Sequence, residues 1–239
     1  MNYDVEVHGV REVSLLGAAD YDYWHKRLAT EILHPTRRAG DGRAEMVVCA
    51  TDARFMGVKF RELSIGVFLA RNEGESTRDG LFLLRAYNSV RCFAFVERVR
   101  FHTPYYPGRI EVACGPPATM RLVVEGSELL RALMSDDADA SARVPERIVE
   151  DVWEGPILLP RNDPRPSPCS RVFFARLAGL THVYPFDPAG DRFVLTKESE
   201  ITALKALRQS QFEPDHWTLR PSATHGKSNT VRKTEGVGL

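Results

Sequence analysis

Residues 88–112 set the tightest limit on how this chain can fold. An amphipathic segment runs into a corner built from two prolines and a glycine, and a strand-like segment leaves it. Val90, Phe93, Ala94 and Phe101 fall near the i, i+3, i+4 spacing of a helix face, with Val96 partly off it. Asn88 and Ser89 are both N-cap candidates. Arg98 and Arg100 sit where cations suit the helix dipole. Pro104 disfavours helical angles at Thr103, and Pro107-Gly108 continues the turn. Ile110-Glu111-Val112 then alternates as a strand does. Within this corner His102, Tyr105, Tyr106 and Arg109 bring together an imidazole, two phenols and a guanidinium. A polar helix-to-strand junction of this kind is a natural rim for a pocket.

The flanking sequence predicts short strands with a few helices. Val5, Val7 and Val13 to Leu16 predict an extended start. Ala18 to Leu33 follows as a helix, with Asp20 near its cap and Tyr21, Trp24, Leu28 and Ile32 about one face. His34-Pro35 ends it. Ala44 to Ala50 predicts a strand. Val58 to Arg71 is nearly continuous in apolar residues, as suits a strand buried on both faces. Leu81 to Leu84, Arg109 to Cys114, Thr119 to Glu125, Val152 to Leu159 and Arg171 to Tyr184 also read as strands. Ser127 to Met134 reads as a short helix, and Thr196 to Gln211 as a longer one, capped by Thr196 or Ser199, with Ile201, Leu204, Leu207 and Gln211 in a stripe. Asp136 to Ala142 and Arg161 to Pro168 read as loops, the second a mobile one. Trp217 to Leu219 reads as a last short strand. The expectation is one α+β domain over residues 1–221, with a large, mostly antiparallel, curved sheet closing into a barrel or cone and three to four helices. Residues 222–239, rich in Ser, Thr, Lys and Gly, read as a disordered polar tail.

Composition excludes several classes. Of 239 residues, 43% are hydrophobic and 27% charged, and the formal net charge is zero. A nucleic-acid partner needs a net basic field, so none is expected. No apolar run approaches a membrane span, and the acidic N-terminus lacks a hydrophobic signal core, so a cytoplasmic chain is expected. Cys49, Cys92, Cys114 and Cys169 are widely spaced and read as buried thiols in a reducing compartment. No phosphate loop, dinucleotide fingerprint or nucleophile elbow occurs, and the histidines show no metal-ligand spacing. Neither a cofactor nor a metal is expected. The partner is a small molecule, and the composition is compatible with a homo-oligomer.

Two segments resemble the acetoacetate decarboxylase-like superfamily. Phe60-Arg61-Glu62-Leu63, followed by an apolar strand, is similar to that superfamily's aromatic-x-Glu strand opening. The strand Leu81 to Leu84, the helix and the proline turn form the second. In the decarboxylases that turn carries Pro-Lys-Lys. Here Tyr105-Tyr106 follows Pro104, and Thr-Pro-Tyr-Tyr resembles the Leu-Pro-Tyr-Tyr turn of a poorly characterised bacterial branch. The resemblance covers about Arg54 to Glu125. It implies the superfamily's fold. The decarboxylases use a Schiff-base lysine, and a tyrosine cannot form an imine.

A candidate site follows, with a structural alternative at each position. The resemblance matches Glu62 to a catalytic glutamate, which burial would make a general acid or base; otherwise it pairs with Arg61, Lys59 or Arg54. His102 is a proton shuttle or a helix cap. Tyr105 is a hydrogen-bond donor to a carbonyl or enolate oxygen, and Tyr106 a substrate contact, or both are packing aromatics. Consecutive strand residues point oppositely, so both face a cavity only in an irregular turn. Arg109 is a carboxylate clamp or a surface cation. Lys59 is a weaker, displaced source of an imine-forming amine. The set points to an enzyme acting on an oxo- or carboxylate-bearing metabolite, of lyase, dehydratase or isomerase type. The alternative is a non-catalytic member of the same fold.

Overall fold

A computed structural model describes residues 3–135, 143–160, 171–196 and 201–232. The expected loops at Asp136 to Ala142 and Arg161 to Pro168, Cys169 and residues 233–239 lie outside them. The chain opens with β1 (Val5–Ala19), α1 (Tyr21–Leu28), β2 (His34–Pro35), β3 (Ala44–Phe55), β4 (Val58–Ala70) and β5 (Gly80–Asn88). Then come α2 (Arg91–Arg100), β6 (Tyr105–Pro107), β7 (Arg109–Ala113), β8 (Thr119–Val124) and β9 (Ser127–Leu133). The last third holds β10 (Arg147–Leu159), β11 (Arg171–Pro185), β12 (Arg192–Leu195), α3 (Thr202–Gln209), β13 (Glu213–Lys227) and β14 (Val231–Arg232).

The large sheet runs β2-β4-β3-β1-β13-β11-β10-β5-β6, and β5 also pairs with β4. The path β4-β3-β1-β13-β11-β10-β5 therefore returns on itself. Its pairings are antiparallel except β5–β10, and β6 adds a second parallel pair to β5. A smaller sheet, β12-β9-β8-β7, lies outside this circuit.

Alternation along the circuit separates two interiors. On β1, Glu12, Ser14 and Leu16 face a central cavity while Val13 and Leu15 face the main core. On β3, Cys49 and Thr51 face inward and Val48 and Ala50 outward. The near-continuous apolar run of β4 thus has the two-sided burial expected of it. The outward residues pack with Ile110, Met120, Leu122 and Leu130 of the small sheet and with Trp24, Leu28, Leu204 and Leu207 of α1 and α3.

Local chemistry explains most boundaries. Asp20 caps α1 by accepting from the Tyr23 amide at 2.7 Å. This helix is shorter than expected, because Ala18 and Ala19 stay in β1 and Ala29–Glu31 tightens into a 3₁₀ turn. The β3–β4 hairpin turns on Met56 and Gly57, both at positive φ, as a two-residue hairpin turn of matching twist requires. Glu125 and Gly126 do the same between β8 and β9. That second turn overrides the helical reading of Ser127 to Met134, which is strand over Ser127–Leu133. In α3 the capping position falls to Ile201, while Thr196 Oγ1 bonds the Glu128 carbonyl and the other expected cap, Ser199, lies outside the described residues. The thiols are free where described, but none is fully buried: Cys49 and Cys114 are partly buried and Cys92 is exposed.

The largest correction concerns the C-terminal segment. Residues 222–227 are no disordered tail: β13 runs to Lys227, paired with β1 on one side and β11 on the other. The stretch lacks an apolar period because its inward side chains are polar and line the cavity.

Candidate functional site

A cavity of about 650 Å³ occupies the middle of the strand circuit, with α2 and β6 contributing to its lining. Its apolar walls include Phe60, Phe93, Phe101, Trp153 and Phe173. Phe93 meets Phe60 edge-on, 5.6 Å between centroids. The α2 stripe read from the sequence therefore serves mainly the cavity, and only Ala94 of this helix is fully buried.

Three polar clusters interrupt those walls. The first joins Glu62 of β4, Asn88 at the end of β5 and Tyr105 of β6. Asn88 Nδ2 donates to Glu62 Oε1 at 2.8 Å, and the Tyr105 hydroxyl donates to Glu62 Oε2 at 3.3 Å. Asn88 Oδ1 accepts from the Val90 amide at 2.8 Å, which orients the amide and aims its NH₂ at the carboxyl. No Lys or Arg pairs with Glu62 among the described residues. Lys59 and Arg61 approach Asp52 at 3.3 and 3.6 Å, and Arg54 bonds the Gly57 carbonyl. Burial, reinforced by the nearby charge of Glu97, pushes the Glu62 carboxyl up to about 7, against the opposing pull of Lys227, Asn88 and His225. Burial and the same two carboxylates push the Tyr105 phenol well above its ordinary 10.0, so it stays a neutral donor.

The second cluster ties α2 to β13. Lys227 Nζ sits 2.5 Å from Glu97 Oε2, which also accepts from Thr103 Oγ1 at 2.7 Å. The ammonium lies 4.7 Å from the ring centroids of both Phe101 and Phe173. The third cluster lies on β1 and β13. Glu12 is 1% exposed and accepts from Arg220 Nη1 at 2.5 Å, Ser14 Oγ at 3.0 Å and His225 Nε2 at 2.8 Å. Burial alone would raise its pKa, but the His225 hydrogen bond and the Arg220 charge hold it down at about 2. Arg220 also reaches Asp151 at 2.6 Å and Thr181 at 2.8 Å.

Of the expected site residues, Glu62 and Tyr105 come together in the cavity; His102, Tyr106 and Arg109 do not line it. His102 is exposed at φ 54, just past the end of α2, where the Thr103 amide bonds back to the Glu97 carbonyl at 3.2 Å. This left-handed C-terminal cap turns the imidazole out to solvent. Tyr106 follows the alternation of β6 and packs against the main core, with the Arg85 guanidinium 3.6 Å from its ring centroid. Arg109 is 74% exposed in its side chain and pairs with Glu111 at 2.7 Å.

Sequence reasoning missed Glu12, Asn88 as a cavity residue, Glu97, Arg220, His225 and Lys227. Asn88 was visible only as a helix cap, and Lys227 and His225 were absorbed into the presumed tail. The period-two pattern Glu12-Val13-Ser14-Leu15 was the one available signal for an inward polar face. Outside the cavity, donor atoms of His25, His34 and Glu73 lie within 4.8 Å of one another, a grouping that residue spacing did not reveal. Glu73 already pairs with His25 there at 3.2 Å, and none of the three lines the cavity.

No family model matches the sequence, and none of the curated proteins matches it significantly. Solved structures do match. Acetoacetate decarboxylase from Legionella pneumophila superposes with a TM-score of 0.64 at 10% identity, over 98% of this chain and 90% of that one. The chain has an acetoacetate decarboxylase-like fold. An acetoacetate decarboxylase-like enzyme from Sphingomonas wittichii RW1 gives 0.58 at 14% identity, over 98% and 94%. The enduracididine biosynthesis enzyme MppR, complexed with the condensation product of pyruvate and imidazole 4-carboxaldehyde, gives 0.62 at 13%, over 97% and 90%. The acetoacetate decarboxylase-like fold accounts for the curved, mostly antiparallel sheet with three α-helices among the described residues, none long and apolar enough to cross a membrane.

Proposed function

We propose that this chain is an enzyme that moves a proton on a small oxo- or carboxylate-bearing metabolite, inside a barrel-like ring of strands and without an imine-forming lysine. One observation carries the reading. Among the described residues three glutamates line the cavity; Glu12 and Glu97 each have a cationic partner there, and Glu62 has none. An unpaired, enclosed carboxyl titrating at about 7 matches the working range of a general acid or base. Tyr105 beside it offers a hydroxyl to a carbonyl or enolate oxygen. The reaction class is lyase, dehydratase or isomerase, and no cofactor enters the reading. A zero net charge argues against a nucleic-acid partner, and the chain is read as cytoplasmic.

Lys227 is the cavity's one lysine among the described residues. Its contacts with Glu97 and three aromatic rings, Phe101, Tyr105 and Phe173, stabilise an ammonium, whereas imine formation needs the free amine. The structural likeness to MppR supports an oxo-acid ligand, since MppR was seen with a product derived from pyruvate.

The test is turnover of an oxo-acid pool followed by mass spectrometry. Glu62→Gln is expected to lower the rate by about 10²–10⁴, and Tyr105→Phe by about 10². Ligand-dependent thermal stabilisation with no turnover would replace the enzyme by a ligand-binding member of the fold. Borohydride treatment in the presence of acetoacetate should leave no adduct. A labelled peptide containing Lys227 or Lys59 would overturn the lysine-free mechanism.

A further inference from the structure

We infer that His225 is a second proton-transfer group of this cavity, working across from Glu62 and delivering a proton to the group that leaves the substrate. The inference rests on the enzyme reading above and adds to it a division of labour between two walls.

Glu12 sets the imidazole's orientation. Its Oε1 takes Arg220 and Ser14, so Oε2 is left to His225 Nε2 at 2.8 Å. An ionised carboxylate only accepts, so Nε2 carries its hydrogen whether or not the ring is charged. Nδ1 is therefore the nitrogen that gains and loses a proton, and it has no hydrogen-bond partner among the described residues. The side chain is 23% exposed and lines the cavity. A buried carboxylate holding one nitrogen of a cavity-lining imidazole while the other is left without a partner is the arrangement of a histidine kept ready for proton transfer.

Topology supplies the opposition. Along the closed circuit β13 stands three strands from β4 in one direction, through β1 and β3, and four in the other, through β11, β10 and β5. Glu62 on β4 and His225 on β13 thus approach a ligand from different sides. Both line the same space, and the charge of His225 is among those that pull the Glu62 pKa down.

Two such groups suit elimination from a β-hydroxy carbonyl compound. The Glu62 carboxylate takes the proton from the carbon next to the carbonyl, while Tyr105 holds the carbonyl oxygen. The electron pair of that C–H bond becomes the new C=C bond as the C–O bond breaks. The hydroxyl departs as water with the Nδ1 proton of the imidazolium. Glu62 ends protonated and His225 neutral, and solvent returns the proton from one to the other. Nothing is oxidised or reduced.

The test uses the full chain and two aromatic probes, matched to the phenyl-rich walls. Phenylpyruvate reports exchange of its C3 protons in D₂O, a step that needs Glu62 alone. 4-Hydroxy-2-oxo-4-phenylbutanoate reports dehydration, which needs both groups. Glu62→Gln should lose both. His225→Gln keeps an amide that can donate to Glu12 but has no titrating nitrogen. It should keep exchange within about threefold and lose dehydration by about 10² or more. His225→Ala should regain dehydration with added imidazole. His225→Gln dehydrating at the wild-type rate, or losing exchange as much as dehydration, would overturn the inference. Wild-type exchange without any dehydration would also sink it while leaving the enzyme reading intact. Neither exchange nor dehydration in the wild type would sink both.

Discussion

At the scale of the residue, Glu62 is a source of instability that its position in the cavity imposes. A carboxyl whose pKa is about 7 when folded, against 4.5 when free, binds its proton more tightly in the folded state. Between those values the folded chain therefore holds more protons than the unfolded one, and stability falls as pH rises. The loss is absent below about 4.5 and complete above about 7. Its full size is roughly 3 kcal/mol, from 1.36 kcal/mol per pKa unit. Glu62→Gln, which cannot ionise, should be more stable than the wild type at pH 8 by an amount of that order. The difference should shrink towards pH 5. Urea melts at a series of pH values read this directly. A constant difference across the series would show that Glu62 titrates normally.

At the scale of the element, α2 and β13 set the charge that Glu62 feels. The α2 carboxylate of Glu97 raises the Glu62 pKa and the β13 ammonium of Lys227 lowers it. Two substitutions on two elements should then move one titration in opposite directions. Glu97→Gln should bring the Glu62 midpoint below 7, and Lys227→Met should carry it above. The carboxyl ¹³C shift of Glu62 followed against pH checks both. Movement of both midpoints in the same direction would mean that the changes act through loosening of α2. The elements also show where the sequence was legible. β4 was, because burial on both faces leaves a nearly continuous apolar run from Leu63 onward. The helix of α2 was legible as a helix, but not what its apolar face meets. Periodicity reports an apolar environment, and a phenyl-lined cavity and a packed core look alike to it. Tyr105 and Tyr106 were separable only by knowing which face of β6 turns inward. β9 and the end of β13 were illegible for opposite reasons. β9 is made of helix-favouring Glu, Leu and Ala held extended by its hairpin turn. The end of β13 is polar because it lines a site.

At the scale of the whole molecule, the circuit holds only if every strand in it is complete. β13 is the seam, since it pairs with β1 along one edge and with β11 along the other. Its last residues carry the two registers together: Lys227 lies opposite both Val5 and Ala175, and His225 opposite both Val7 and Leu177. The composition of residues 222–227 suggests a dispensable end, and the pairing says the reverse. A chain ending at Pro221 would leave the first residues of β1 and the middle of β11 with unpaired backbone groups facing each other across a gap. It would also take His225 from Glu12, which keeps Arg220 and Ser14, and leave Glu97 with Thr103 but without its cation Lys227. Such a chain should lose its cooperative thermal transition or aggregate. Lys227→Met and His225→Gln in the full chain should keep that transition, because the backbone pairing survives. If the shortened chain melts like the full one, the ring is not closed through residues 222–227. The two walls assigned to Glu62 and His225 would then no longer enclose a common space.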